Sequence, residues 1–146
     1  MLALVQRVSH ARVTIAGAVV GAIERGLLVF VCAEPADTDA QATKLVDKLL
    51  KLRIFSDEAG KMNRSVQDVQ GGLLIVSQFT LAADTAGGNR PSFSAAAAPM
   101  LGRALYERVL QLARERHAPV AAGEFGADMQ VELINDGPVT IPMRVA

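Results

Sequence analysis

Apolar residues in the first thirty positions fall into four short runs: Ala3-Leu4-Val5, Arg12-Val13-Thr14-Ile15, Val19 to Ile23, and Leu27-Leu28-Val29-Phe30-Val31. Gly17 and Gly26 lie in the breaks, and this spacing predicts strands in an antiparallel meander. The period then changes. Thr38 has Gln41 three positions on, the pattern of a capping box, and Ala42, Leu45, Val46, Leu49 and Leu50 recur at helical spacing. That helix buries one face against the sheet. Arg53 to Phe55 reads as a short extended segment, 56–60 has turn composition, and 61–72 has no clean period and is expected to run over the surface.

Leu73-Leu74-Ile75-Val76 is apolar on both faces, as an interior strand is, and it runs directly into Ser77-Gln78-Phe79-Thr80. A loop is predicted over 83–94, where Gly87, Gly88, Asn89 and Pro91 cluster around the single basic residue Arg90. Pro99 opens a second helix with the stripe Leu101, Leu105, Val109 and Leu112. Arg114, Arg116 and His117 suit the dipole at its end, and Pro119 stops it. Met129, Val131 and Leu133 alternate with polar residues as a half-buried strand, followed by a turn at Asp136-Gly137-Pro138 and a final strand through Val145. The predicted fold class is α/β: antiparallel-rich sheets forming a two-sheet sandwich or partly open barrel, with two helices packed on one side.

At 146 residues the chain is expected to be one domain, 1–146. Fifteen basic and fifteen acidic residues cancel, so no whole-molecule field draws it to nucleic acid, and any RNA contact must be local. One cysteine, Cys32, allows no internal disulfide, and the apolar start is broken by Gln6 and Arg7 rather than extended as a signal peptide. No apolar run approaches the roughly 20 residues of a membrane span, and a cytoplasmic protein is expected. A hydrophobic fraction of 51% is high for a solvated monomer of this size and points to an oligomer.

Metal and cofactor chemistry find no support. His10, His117 and Cys32 show no ligand spacing, neither histidine sits in a triad pattern, and no glycine-rich phosphate loop opens a helix. Two other segments do stand out. Ser77-Gln78-Phe79-Thr80 places polar groups at the end of a buried strand, where they either bond to neighbouring backbone or line a pocket. Thr80 lacks an evident base to make it a nucleophile, whereas backbone N–H groups here could stabilise an oxyanion. Gly137-Pro138 is either a plain hairpin turn or a rigid wall, since an X-Pro bond can be cis at a cost of about 0.5–1 kcal/mol. Arg7 is either an exposed strand arginine or part of the same site.

Six segments in order carry a resemblance: Val5-Gln6-Arg7-Val8, Leu52-Arg53-Ile54-Phe55, Gly60-Lys61-Met62-Asn63, Ser77-Gln78-Phe79-Thr80-Leu81, Arg90-Pro91-Ser92-Phe93 and Asn135-Asp136-Gly137-Pro138-Val139-Thr140. With these the chain resembles the D-aminoacyl-tRNA deacylase family along nearly its whole length. The resemblance implies a homodimer whose partners are D-aminoacyl-tRNA and glycyl-tRNA, with no cofactor and no metal. It implies catalytic positions at Ser77, Gln78, Phe79 and Thr80. It further implies a chiral gate in which a cis Gly137-Pro138, held by Arg7, enters the other subunit's pocket and excludes L side chains by clash. The expected attacking group is a water assisted by the terminal ribose 2′-hydroxyl, not Thr80. Two departures weaken the expected tRNA contact: Gly87-Gly88-Asn89 is less basic than the family's loop, and Cys32-Ala33-Glu34 replaces a glycine-containing stretch. Two other functions remain open on the residues: a silent tRNA-end or nucleotide-binding module, and a general ester hydrolase acting through Thr80.

Overall fold

The computed structural model describes all 146 residues. Its elements are β1 (Leu2–Ile15), β2 (Ala18–Ile23), β3 (Gly26–Cys32), α1 (Asp39–Lys51), β4 (Phe55–Ser56), β5 (Met62–Arg64), β6 (Gly72–Ser77), a 3₁₀ turn (Phe79–Ala82), α2 (Pro99–Arg116), β7 (Val120–Ala122) and β8 (Gln130–Arg144). Six strands form one sheet in the order β2-β1-β3-β6-β7 with β8 added on β1, and β4 pairs β5 in a separate small hairpin. The main sheet curls into a nearly closed barrel. Its β2 comes so close to β7 that a Cβ on Gly21 would fall 2.4 Å from the Ala122 carbonyl oxygen.

At the centre β3 and β6 run parallel, from Gly26 opposite Gly72 to Val31 opposite Ser77. Up to Ser77 both carry no polar side chain, because both faces are covered. Leu27, Val29, Leu73 and Ile75 pack into the core under the helices, while Leu28, Leu74 and Val76 face a second core inside the barrel with Val8, Ala11 and Val13. Parallel neighbours need crossovers, which α1 and α2 supply on the same face. The expected capping box on α1 is present: Ala40 N–H donates to Thr38 Oγ1 at 3.2 Å, and Thr38 N–H donates to Gln41 Oε1 at 2.7 Å. Pro99 stands at the start of α2, where a missing N–H costs nothing.

Two expectations about the first thirty residues need correction. Ala3-Leu4-Val5 and Arg12 to Ile15 are the two ends of one 14-residue strand, not separate strands. Register shifts between Gln6 and Val8 and between Val8 and His10 break its alternation, so burial moves from Ala3 and Val5 on the helix side to Val8, Ala11 and Val13 in the barrel. Nor is the arrangement a meander. The long β1 takes β3 along its first half and β2 along its second, both on the same edge, while β8 runs down the other. The middle region also carries the β4–β5 hairpin, whose turn is organised by Asp57 accepting from the N–H groups of Ala59 and Lys61 and from Asn63 Nδ2.

The two ends of the chain meet over the helix-side core. The Met1 ammonium is buried and donates to Glu34 Oε1, Asp37 Oδ1 and the Val145 carbonyl, at 2.9, 2.9 and 2.8 Å. Arg144 adds two bonds to Glu34 at 3.1 Å. Hydrogen bonds from Arg144, and then from the Met1 ammonium, hold the Glu34 carboxyl below its ordinary value of 4.5. A depressed native pKa means that the unfolded chain binds the proton more readily, so this stabilisation is complete above pH 4.5 and is lost as pH falls through the native value. Glu34→Gln is expected to lower stability by about 1–3 kcal/mol at neutral pH and to flatten the acid limb of the stability profile. Urea titrations at pH 7 and pH 3.5 check both effects.

Candidate functional site

Where β6 ends, the chain turns sharply. Gln78 N–H donates to the Val31 carbonyl at 2.8 Å, the last tie to β3, and Phe79–Ala82 then forms the 3₁₀ turn. The polar residues expected at a strand end therefore occupy a strand-to-turn junction. Ser77 and Gln78 are half-buried, whereas Phe79 and Thr80 are exposed. Gln78 Nε2 donates to Thr80 Oγ1, so the hydroxyl oxygen serves as an acceptor. Beneath the turn, the Cys32 thiol points at the Phe79 carbonyl at 3.6 Å and the Ala33 carbonyl at 3.4 Å. Burial, then the nearby Glu34 charge, pushes this thiol up, which keeps it protonated and unreactive.

The turn forms the lip of a cavity of about 610 Å³ between the ends of β3 and β6, the start of α2 and the segment leading into β8. Ser77, Gln78 and Phe79 line it; Thr80 lies just outside its wall. Phe93 meets Phe79 edge to face at a centroid distance of 5.1 Å, giving an aromatic lip that is 55% exposed at Phe79. Deeper in, Tyr106 donates its hydroxyl to the Ile75 carbonyl at 2.7 Å, and burial pushes that phenol up to about 12. Phe125 lies against Tyr106 at 6.2 Å, with the Arg103 guanidinium 5.0 Å from its ring centre and Gly102 leaving room for its edge. No carboxylate, imidazole, ammonium or guanidinium residue lines the cavity. The space suits a flat, largely apolar group, with polar side chains at Ser77 and Gln78 beside the turn and at Cys32 and Tyr106.

Arg7, Gly137 and Pro138 stand apart from this cavity and do not line it within one chain. Between the pairs Val8–Asn135 and Gln6–Thr140, β8 contains four residues for the single residue Arg7 on β1. Residues 136–139 therefore project from the sheet, with Asp136, Gly137 and Pro138 exposed. The Gly137–Pro138 peptide is cis. A Cβ on Gly137 would fall 2.6 Å from the Val139 nitrogen, so only glycine fits this backbone path. Arg7 is no free strand arginine: Nε donates to the Asp136 carbonyl at 2.8 Å, and Nη1 donates to the Ile54 carbonyl at 2.7 Å.

Sequence reasoning did not single out Tyr106, Phe125 or Met129 as cavity residues. Tyr106 reads as one more residue of α2, and the segment carrying Phe125 has no period. The available signal was an aromatic residue between two glycines, Gly123-Glu124-Phe125-Gly126, just before a strand. His117 is accounted for structurally, its Nε2–H donating to the Gly71 carbonyl at 2.6 Å. No helix is long and apolar enough to cross a membrane.

Comparisons with known proteins agree over the full length. The family described as D-Tyr-tRNA(Tyr) deacylase matches residues 4–144. A D-aminoacyl-tRNA deacylase from Methylibium petroleiphilum is 70% identical over 145 residues, covering 99% of this chain and 95% of the relative. One from Variovorax paradoxus is 68% identical over 146 residues, with complete coverage of both chains. Among solved structures, the c-Myc DNA Unwinding Element Binding Protein superposes with a TM-score of 0.94 at 41% identity, covering 100% of this chain and 99% of that one. A 3₁₀ turn at the lip of an uncharged cavity and a projecting Gly-Pro loop thus sit in a sequence that matches one family from end to end, and the chain belongs to the D-Tyr-tRNA(Tyr) deacylase family.

Proposed function

We propose that this chain is a hydrolase that cleaves the ester joining a D-amino acid, or glycine, to the terminal adenosine of tRNA. The observation that carries this reading, beside family membership, is the combination of an uncharged, aromatic-walled cavity with a turn of backbone amides at its lip. The cavity takes the adenine and ribose, its flat walls at Phe125 and Tyr106 matching a base. The ester then lies at the turn. In a 3₁₀ turn the leading N–H groups, here those of Phe79 and Thr80, have no acceptor inside the turn and are available to an oxyanion.

Water adds to the ester carbonyl carbon, the carbonyl oxygen takes the negative charge, and the bond to the ribose 3′-oxygen breaks. That oxygen leaves with a proton as the 3′-hydroxyl, and the free amino acid departs. The cavity wall offers no general base, so the neighbouring ribose 2′-hydroxyl handles the proton. Thr80 does not attack: the group bonded to its oxygen is the Gln78 amide donor, which cannot remove a proton.

Selection against L esters is assigned to Gly137 and Pro138 of a second copy. In one chain the loop projects into solvent away from the cavity, and two copies related by a two-fold axis would each complete the other's site. The carbonyl oxygens of the loop then stand where an L side chain would go, while a D side chain or a glycine hydrogen points elsewhere. The function is translation proofreading by a cytoplasmic homodimer.

Four outcomes are expected. Purified protein releases D-tyrosine from D-tyrosyl-tRNA and leaves L-tyrosyl-tRNA intact; hydrolysis of neither would sink the reading. Thr80→Ala keeps turnover within about tenfold, whereas complete loss in a folded variant would restore Thr80 as nucleophile. With tRNA ending in 2′-deoxyadenosine, single-turnover rates fall by about 100-fold or more, and equal rates would point to a general ester hydrolase. Gly137→Ala, which forces the loop to shift, lowers discrimination against L-tyrosyl-tRNA by about tenfold or more while leaving the dimer intact by sedimentation.

A further inference from the structure

We propose that Asn135 is a positioning residue whose side-chain amide closes the neck of the projecting 136–139 loop and sets how Gly137 and Pro138 are presented. This assignment rests on the gate reading above and identifies what holds the gate still.

Backbone pairing between β8 and β1 stops at Asn135 and resumes at Thr140. Val139, inside the excursion, has no β1 residue opposite it, and its N–H and C=O need other partners. Asn135 supplies both. Its Oδ1 accepts from Val139 N–H at 2.8 Å, and its Nδ2 donates to the Val139 carbonyl at 3.2 Å and to Thr140 Oγ1 at 3.1 Å. Gln6 Nε2 donates to the same Thr140 oxygen at 3.2 Å, fastening the returning limb to β1. On the outgoing limb Arg7 holds the Asp136 carbonyl. Both limbs are thus fixed next to an apex that itself makes no side-chain bond.

The chemistry demands an amide. A group of this length must accept from the Val139 N–H and donate to the Val139 carbonyl, which Asn does and Asp, isosteric but acceptor-only, does not. An aspartate here keeps the bond from Val139 N–H and can accept from the Thr140 hydroxyl, but it sets its second oxygen against the Val139 carbonyl, which can only accept. Rejection by clash needs a wall that does not yield, because a loop free to move by about 1 Å lets the excluded side chain in.

The test compares parent, Asn135→Asp and Asn135→Ala in two measurements. The first is amide hydrogen exchange resolved to residues 137–140. The second is the ratio of kcat/KM for D-tyrosyl-tRNA to that for L-tyrosyl-tRNA. Exchange at Val139 is expected to quicken by about tenfold in Asn135→Ala, which loses the acceptor, and by a smaller factor in Asn135→Asp, which keeps it, with exchange in β3 and β6 unchanged. The D-to-L ratio is expected to fall by about tenfold through a rise in the L reaction. Thr140→Val, at an exposed position, removes the acceptor shared by Gln6 and Asn135 and should shift both readouts in the same direction by a smaller factor. Unchanged Val139 exchange in Asn135→Ala, or a D-to-L ratio within twofold of the parent in both variants, overturns the assignment. So does an equal loss of both reactions with a lowered Tm, the signature of a merely structural role. A parent protein that shows no D-to-L preference overturns the gate reading itself, and that failure is distinguishable because it is seen before any substitution is made.

Discussion

Parallel pairing of β3 with β6, buried on both faces, is the constraint on which the rest of the molecule depends. Two cores meet on these strands, one under the helices and one inside the barrel, so neither strand has a face to spare for chemistry along its length. Function is displaced to where the strands stop. Gly26 and Gly72 show how close the pairing is: a Cβ on Gly26 would fall 2.0 Å from the Gly72 carbonyl oxygen. At the other end the last tie, Gln78 N–H to the Val31 carbonyl, releases the chain into the 3₁₀ turn. The lip of the cavity is thereby placed by two strands buried on both faces.

The site divides its labour between a still surface and an excursion. The cavity contributes shape and an uncharged wall, with its titratable thiol and phenol both shifted away from ionisation. On the proposed function, catalysis in such a site falls to oriented dipoles and to the substrate's own groups. The excursion from β8 has the opposite character: it is exposed at its tip and held only at its base. On the proposed function, splitting recognition of the base from judgement of the side chain lets one cavity accept many amino acids.

Much of this was legible in the sequence wherever one local rule dominated. The Thr38–Gln41 box, Pro99 and the doubly apolar run before Ser77 each name their element without help from distant residues. The long β1 was not legible as a single strand, because the register shifts around Val8 reverse which residues face inward and imitate a break. β7 is three residues between Pro119 and Gly123, too short to show alternation. For the site, Ser77 to Thr80 and Gly137-Pro138 were visible as polar or rigid intrusions in apolar surroundings. Phe125 was not, since its place in the cavity is set by packing against Tyr106 in a separate element.

One pattern runs through the bonds that shape this site. Cys32 meets the Phe79 carbonyl, Tyr106 the Ile75 carbonyl, Arg7 the carbonyls of Ile54 and Asp136, and Asn135 the backbone of Val139. In each case a side chain grips a main-chain group, which every residue possesses whatever its identity. The gripping residues are therefore bound to their chemistry, while the gripped ones are free to drift so long as their backbone path survives. Variation can accumulate on the surface of the site without loosening its frame, which gives a proofreading enzyme room to adjust its contacts while its geometry stays put.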